Sequence, residues 1–194
     1  MVAVLKVFYD FGGTDTAPGT NQDTSALSPN LRFKTADNAT IDTNHPIPVP
    51  TTGKNRSYWK QIYLKCSTAP STQIDNVKFY SDGSSGFGTG IALKIATSFP
   101  VKNSGANTGY EVSTGTTGVT GTRLAAVHAG VSTTASVFNY TAAAPISPSI
   151  SESGNIINAA GETTNYVILQ MEVSSTASSG ALSAETLTWQ WDEI

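Results

Sequence analysis

The sequence predicts an all-β protein, an antiparallel two-sheet sandwich in jelly-roll or Greek-key order, with about seven or eight strands and long loops. Three observations carry this. Several runs alternate apolar and polar residues with a period of two, as strands do when one face lies in a core. No stretch carries a convincing helical pattern. The composition is rich in Ser, Thr and Gly and only 13% charged, which suits strands and loops better than helices. At 194 residues the chain is long enough for one sizeable core, so a single sandwich domain over residues 1–194 is expected.

The most strongly patterned stretch runs from Ser57 to Ser81, and the rest of the chain is expected to be organised around it. Ile62, Leu64 and Cys66 alternate with Gln61, Tyr63 and Lys65; further on, Val77 and Phe79 alternate with Asn76, Lys78 and Tyr80. The turn Ala69-Pro70-Ser71-Thr72 between them fits a hairpin or a short connection between sheets. Ahead of this pair, Val2 to Tyr9 is apolar on both phases, which predicts a strand buried on both faces or packed against a neighbour. Asp10 to Pro29 loses all period and reads as a long surface loop. Leu31, Phe33 and Thr35 alternate with Arg32 and Lys34 and read as a second strand. Proline at every second position in His45-Pro46-Ile47-Pro48-Val49-Pro50 forces extended backbone without alternate donors, so this is an edge or connecting segment.

Beyond the central pair, the glycine-rich connector Ser81 to Gly90 leads to a strand with Ile91, Leu93 and Ile95 inward. From Val101 to Asn165 the pattern weakens, with short candidates at Tyr110–Ser113, Arg123–His128 and Val137–Tyr140; one or two short strands or a helical turn are expected there. Val167, Leu169, Met171 and Val173 then alternate with polar or outward residues. After a small-residue turn, Leu187, Trp189 and Trp191 do the same, which reads as a C-terminal hairpin with both tryptophans in the core.

Several functions are disfavoured at this level. A net charge of -3 with few charged residues gives no basic surface for nucleic acid or anionic lipid, and no window approaches the ~20 apolar residues of a membrane-spanning helix. The single Cys66 excludes an internal disulfide and a thiolate zinc site, and its apolar phase marks it as a buried small hydrophobe. His45 and His128 are the only imidazoles and neither lies near a nucleophile-elbow pattern. Nothing pairs Glu111, Glu152, Glu162, Glu172, Glu185 and Glu193 as glycosidase carboxylates, and each reads as a solvated single charge. The expectation is a protein that is not an enzyme. Gly86 to Gly90 precedes a strand, not a helix, and so is no phosphate loop. Asn38, Asn55 and Asn139 open glycosylation triplets, but no entry signal for a secretory pathway accompanies them.

No cofactor is expected, with calcium as the alternative: Asp10, Asp15 and Asp23 in the first loop and Asp82 before Gly83 could supply hard oxygen ligands. Trp59 and Tyr63 fall on the opposite phase from Ile62, Leu64 and Cys66. With Phe87 they form the expected contact surface, either a sugar-stacking platform or a protein-contact face, unless a loop of the same chain covers them.

The segments IYLKCSTAPSTQIDNVKFYSDG and YVILQMEVSSTASSGALSAETLTWQWDEI resemble small β-sandwich structural proteins of tailed-phage virions, of the capsid decoration or cement type or a related tail component. In the second segment the likeness lies in an alternating strand, a small-residue turn, a Thr-rich strand and an aromatic-Asp-Glu ending; together the two cover about a third of the chain. The resemblance implies a virion-surface protein that binds the major capsid lattice and cross-links neighbouring subunits, often as a homo-trimer, with Asp10–Pro29 and Val101–Asn165 as contact arms. A chain that begins with Met and shows no export signal is expected to be made in the host cytoplasm and to leave on the virion. The alternative function is a carbohydrate-binding module or adhesin using the aromatic residues.

Overall fold

The computed structural model describes residues 2–27, 31–115 and 123–194. Nine strands and one short helix run in the order β1 (Val4–Phe11), β2 (Thr20–Asp23), β3 (Lys54–Arg56), β4 (Lys60–Thr68), β5 (Ile74–Ser81), β6 (Ile91–Ala96), α1 (Leu124–Val127), β7 (Thr134–Ser136), β8 (Val167–Ser174) and β9 (Leu187–Glu193). Seven strands form one antiparallel sheet in the order β2-β1-β4-β8-β6-β7, with β3 also pairing β8; β5 and β9 form a second sheet. The expected all-β, two-sheet antiparallel sandwich is what the chain adopts.

β8 is the axis of the large sheet. One of its edges pairs with β6, the other with β4 and then β3. Where β3 gives way to β4, Ser57 bridges the gap: its N–H donates to Met171 O at 3.0 Å and its Oγ accepts from Met171 N at 3.0 Å. Seven of the eight residues of β8 are buried, the burden of a strand covered on both faces, which selects near-continuous apolar sequence. The organising strand is therefore β8 rather than the Ser57–Ser81 stretch.

Between the sheets, Ile62, Leu93, Ile95, Val167, Leu169, Met171 and Val173 meet Phe79, with Leu187 and Trp189 packed against them. At one end the same layer continues through Leu64, Cys66, Ile74, Val77, Ile150 and Ile157. Cys66 is fully buried there, and burial raises its thiol pKa, with Glu162 adding to the effect. Within β5 the register shifts between Asp75 and Lys78, and Asn76 takes φ 48°. That extra residue is what lets Ile74 and Val77, three positions apart, share the buried face.

Three sequence expectations change. Strands Val167–Ser174 and Leu187–Glu193 are not a hairpin, because β8 lies in the large sheet and β9 pairs β5 in the small one. The turn at Ala69–Thr72 accordingly takes its second reading, a connection between sheets. Residues 31–35 form no strand; Leu31 and Phe33 pack on the core from an irregular segment. Trp189 and Trp191 reach the core but stay half-buried. The proline-rich stretch is a connector, as expected, and Asn55 Nδ2 ties it down by donating to Pro48 O at 2.6 Å. In the long weakly patterned segment, α1 and β7 are the helical turn and the short strand anticipated there. The end of the first loop, residues 28–30 with Pro29, and residues 116–122 of the second lie outside the described residues.

Candidate functional site

Trp59 and Tyr63 are each 2% exposed and offer no contact surface. The reason is the long segment following β6. It folds back over the outer face of the large sheet and inserts Tyr110, Leu124 and Val131 beside Trp59, Tyr63, Ala96, Tyr166 and Ile168. Gly109 is needed for the close approach, since a Cβ there would stand 2.3 Å from Val101 N. Ser113 Oγ donates to Trp59 O at 2.7 Å, and Leu124 N donates to Gln170 Oε1 at 2.9 Å. Phe87 is partly buried, edge to face with Phe138 at 5.9 Å. The three aromatics of the expected contact surface are not brought together.

Three polar clusters lie within the molecule, two beneath this cover and one on the inner side of the large sheet. In the first, Asp10 of β1 is 1% exposed and accepts from Tyr63 Oη at 3.0 Å, from Tyr166 Oη at 2.6 Å and from Asn21 Nδ2. Burial, and then the Asp10 charge, push the pKa values of both phenols far above the usual range. Both hydroxyls stay protonated and act as donors.

The second lies at the end of the sandwich interior. Lys60 Nζ donates to Tyr9 Oη at 2.8 Å, Tyr9 Oη donates to Asp37 Oδ1 at 2.7 Å, and Gly12 N donates to Asp37 Oδ2 at 2.8 Å. Burial pulls the Lys60 pKa down to about 8. Lys60 and Tyr9 are each 1% exposed, so the relay is closed at the amine, and half-buried Asp37 is its outer end.

The third joins His128, Glu111 and Gln61. Gln61 and His128 are buried; Glu111 is half-buried. Nδ1 of His128 accepts from Gly130 N at 3.1 Å, so Nε2 carries the proton toward Gln61 Oε1 at 3.3 Å. Nδ1 also stands 3.3 Å from Glu111 Oε1. This is no ion pair at neutral pH, because burial pulls the imidazole pKa to about 4. Glu111 accepts from Ala129 N at 2.8 Å. A shallow depression bordered by Pro100, Val101, Glu111 and His128 reaches the rim of this cluster. Both ring nitrogens are occupied, and among the described residues no hydroxyl or thiol bonds to the imidazole as a nucleophile would. Sequence reasoning left His128 and Glu111 unpaired; their meeting depends on a fold-back that spacing does not encode. His45, by contrast, is exposed at φ 58°.

The four candidate calcium ligands are dispersed. Asp10 serves the tyrosines, Asp15 accepts from Val112 N, Asp23 caps a 3-10 turn and pairs with Lys6, and Asp82 accepts from Ser84 N. Among the described residues no three His, Cys, Asp or Glu groups are placed to share a metal ion, and no helix is long and apolar enough to cross a membrane.

The glutamates are not free charges. Glu172 is 5% exposed and holds Arg56 Nε at 2.8 Å and Lys54 Nζ at 2.9 Å, and these bonds outweigh its desolvation and lower its pKa. Glu152, Glu162, Glu185 and Glu193 each accept loop or terminal amide hydrogens, from Ser104, Asn158, Gly86 and Ala3 respectively. Asn55 is buried, which removes the middle glycosylation triplet from reach.

Comparison with protein-family models, with curated proteins and with solved structures finds no match.

Proposed function

We propose that the chain is a non-enzymatic structural protein of a tailed-phage particle, a capsid decoration or cement protein that binds the major capsid lattice and travels on the virion after synthesis in the host cytoplasm. One observation supports this reading above the others: Asp10, Lys60 and His128 are buried and bonded within the fold, while a β9 backbone edge and loops held by carboxylates face outward. A rigid sandwich with its loops clamped by carboxylates loses little freedom on docking to a lattice. The sugar-binding alternative rested on Trp59 and Tyr63, and their burial removes its platform.

The test is an inventory of purified particles by mass spectrometry, paired with heating of particles that lack this chain. The chain is expected in stoichiometric amount, and its loss is expected to lower the temperature at which particles rupture. Absence from intact particles would sink the reading.

A further inference from the structure

The small sheet treats its two edges differently. On the far side of β5, Phe79 exchanges backbone hydrogen bonds with Ile146 at 2.8 and 3.1 Å, Ile74 does the same with Ile157 at 2.8 and 3.0 Å, and Ser81 N donates to Tyr140 O at 2.9 Å. That edge is sealed. These bonds also fix the direction of the backbone on β9, because amide groups alternate along a strand. Ile74, Phe79 and Ser81 turn away from β9, so their register partners Glu193, Trp189 and Leu187 turn away from β5. The bulge between Asp75 and Lys78 is confined to β5, which leaves Trp191 facing outward as well. The free edge of β9 thus presents the N–H and C=O of Leu187, Trp189, Trp191 and Glu193, and among the described residues no strand takes them up.

The edges of the large sheet are blunted by brevity, β2 having four residues and β7 three. β9 has seven residues, and its first five, Leu-Thr-Trp-Gln-Trp, carry no charge and no proline. A long edge without those protections is a template for another strand.

We infer that this edge pairs with a second copy of the same chain, antiparallel, about a twofold axis at Gln190. The sequence of β9 is self-complementary in that register. Leu187 faces Glu193, Trp189 faces Trp191, and Gln190 faces its own counterpart. Every outward amide is then satisfied, in four residue pairs that each exchange two hydrogen bonds. A slip by one residue sets outward groups against inward ones, and a slip by two leaves an end residue unpaired. No carboxylate falls opposite another, since Asp192 meets Thr188 and Glu193 meets Leu187.

The side chains favour the same partner. Trp189 and Trp191 point to the core side yet stay half-buried in a single copy. Pairing brings each beside the other copy's tryptophan and extends the covered layer across the axis. The twofold departs from the threefold that the phage resemblance implies, and it is independent of the particle reading, because isolated protein suffices to test it.

Sedimentation of the full chain should show a dimer. Gln190→Glu puts a carboxylate on each of two directly opposed residues at the axis, whose Cβ atoms would stand roughly 4.5–5.5 Å apart. Within one copy Gln190 is exposed and sits across from Lys78, so this variant keeps its fold by circular dichroism but sediments as a monomer. Gln190→Lys behaves likewise, and mixing the two variants restores the dimer. Hydrogen exchange reports the edge itself: the amides of Leu187, Trp189, Trp191 and Glu193 are protected in the unsubstituted protein and exchange quickly in Gln190→Glu. A monomer at every concentration, a trimer, or a dimer unaffected by Gln190→Glu would each overturn the inference.

Discussion

On its inner face the large sheet is covered by two strands, and the side chains that meet there are mostly aliphatic, with Phe79 and Trp189 edge to face at 4.9 Å. On its outer face the cover is an irregular segment, and most polar side chains beneath it, hydroxyls, amides, a carboxyl and an imidazole, have a partner, while Trp59 Nε1 and Thr114 Oγ1 are buried without one. The inner face is held by area removed from water, the outer one by satisfied polar groups that water cannot reach. Adjacent residues of β4 belong to the two systems, Ile62 to the first and Tyr63 to the second. The difference teaches that a polar phase in a strand marks chemistry and not exposure.

The sharpest way to break this comparison is to disable each face once. Phe79→Ala is expected to cost about 3–5 kcal/mol through the cavity it leaves. Asp10→Ala, which strands two buried phenols and an amide, is expected to cost about the same. Urea denaturation measures both; an Asp10→Ala cost below about 1 kcal/mol would demote the outer face to a loose lid.

A smaller effect separates the faces by pH. His128 titrates near 4 in the fold and at about 6.5 unfolded. The unfolded chain binds the proton first, so the stabilisation is complete above about 6.5 and is lost as pH falls toward 4, by on the order of 2–3 kcal/mol. His128→Gln should flatten that part of the pH profile while leaving the cost of Phe79→Ala unchanged. If the slope survives in His128→Gln, the imidazole is not its source.

Smaller again is Tyr63→Phe, which removes one donor to Asp10 and should cost about 1 kcal/mol. Combined with Tyr166→Phe in a double-mutant cycle, the losses should be non-additive, because both hydroxyls share one carboxyl. The least perturbing probe is Cys66 on the inner side. Its thiol should resist labelling until the whole domain unfolds, and labelling under native conditions would place a breach between the sheets.

The strand pattern was legible where alternation was strict, as at Ile62–Cys66, Ile91–Ile95 and Val167–Val173, and the two-sheet architecture followed from it. Pairing was not legible. Val167–Ser174 and Leu187–Glu193 are neighbours in sequence with a small-residue turn between them, yet each finds its partner elsewhere, since hairpin signals describe the turn and not the competition for edges. Leu31–Thr35 alternates like a strand, yet its backbone bonds run to irregular neighbours, Thr35 N to His45 O and Tyr58 N to Lys34 O. The candidate surface was misjudged for one reason: Gly-, Thr- and Ser-rich sequence reads as arm or linker, and nothing in its pattern shows Tyr110, Leu124 and Val131 being delivered to Trp59 and Tyr63. A hint did exist, in Tyr63, an aromatic residue on the strand phase opposite Ile62 and Leu64.

β8 links β4 and β3 on one flank to β6 on the other, yet it follows the other six strands of its sheet in the chain. Until it is made the nascent polypeptide holds ribbons whose natural neighbour has not been translated, and most of the pairings that define the large layer span distant parts of the chain. Closure is therefore a late and slow event, and stop codons ahead of Val167 should yield material that clumps rather than a smaller, working fragment.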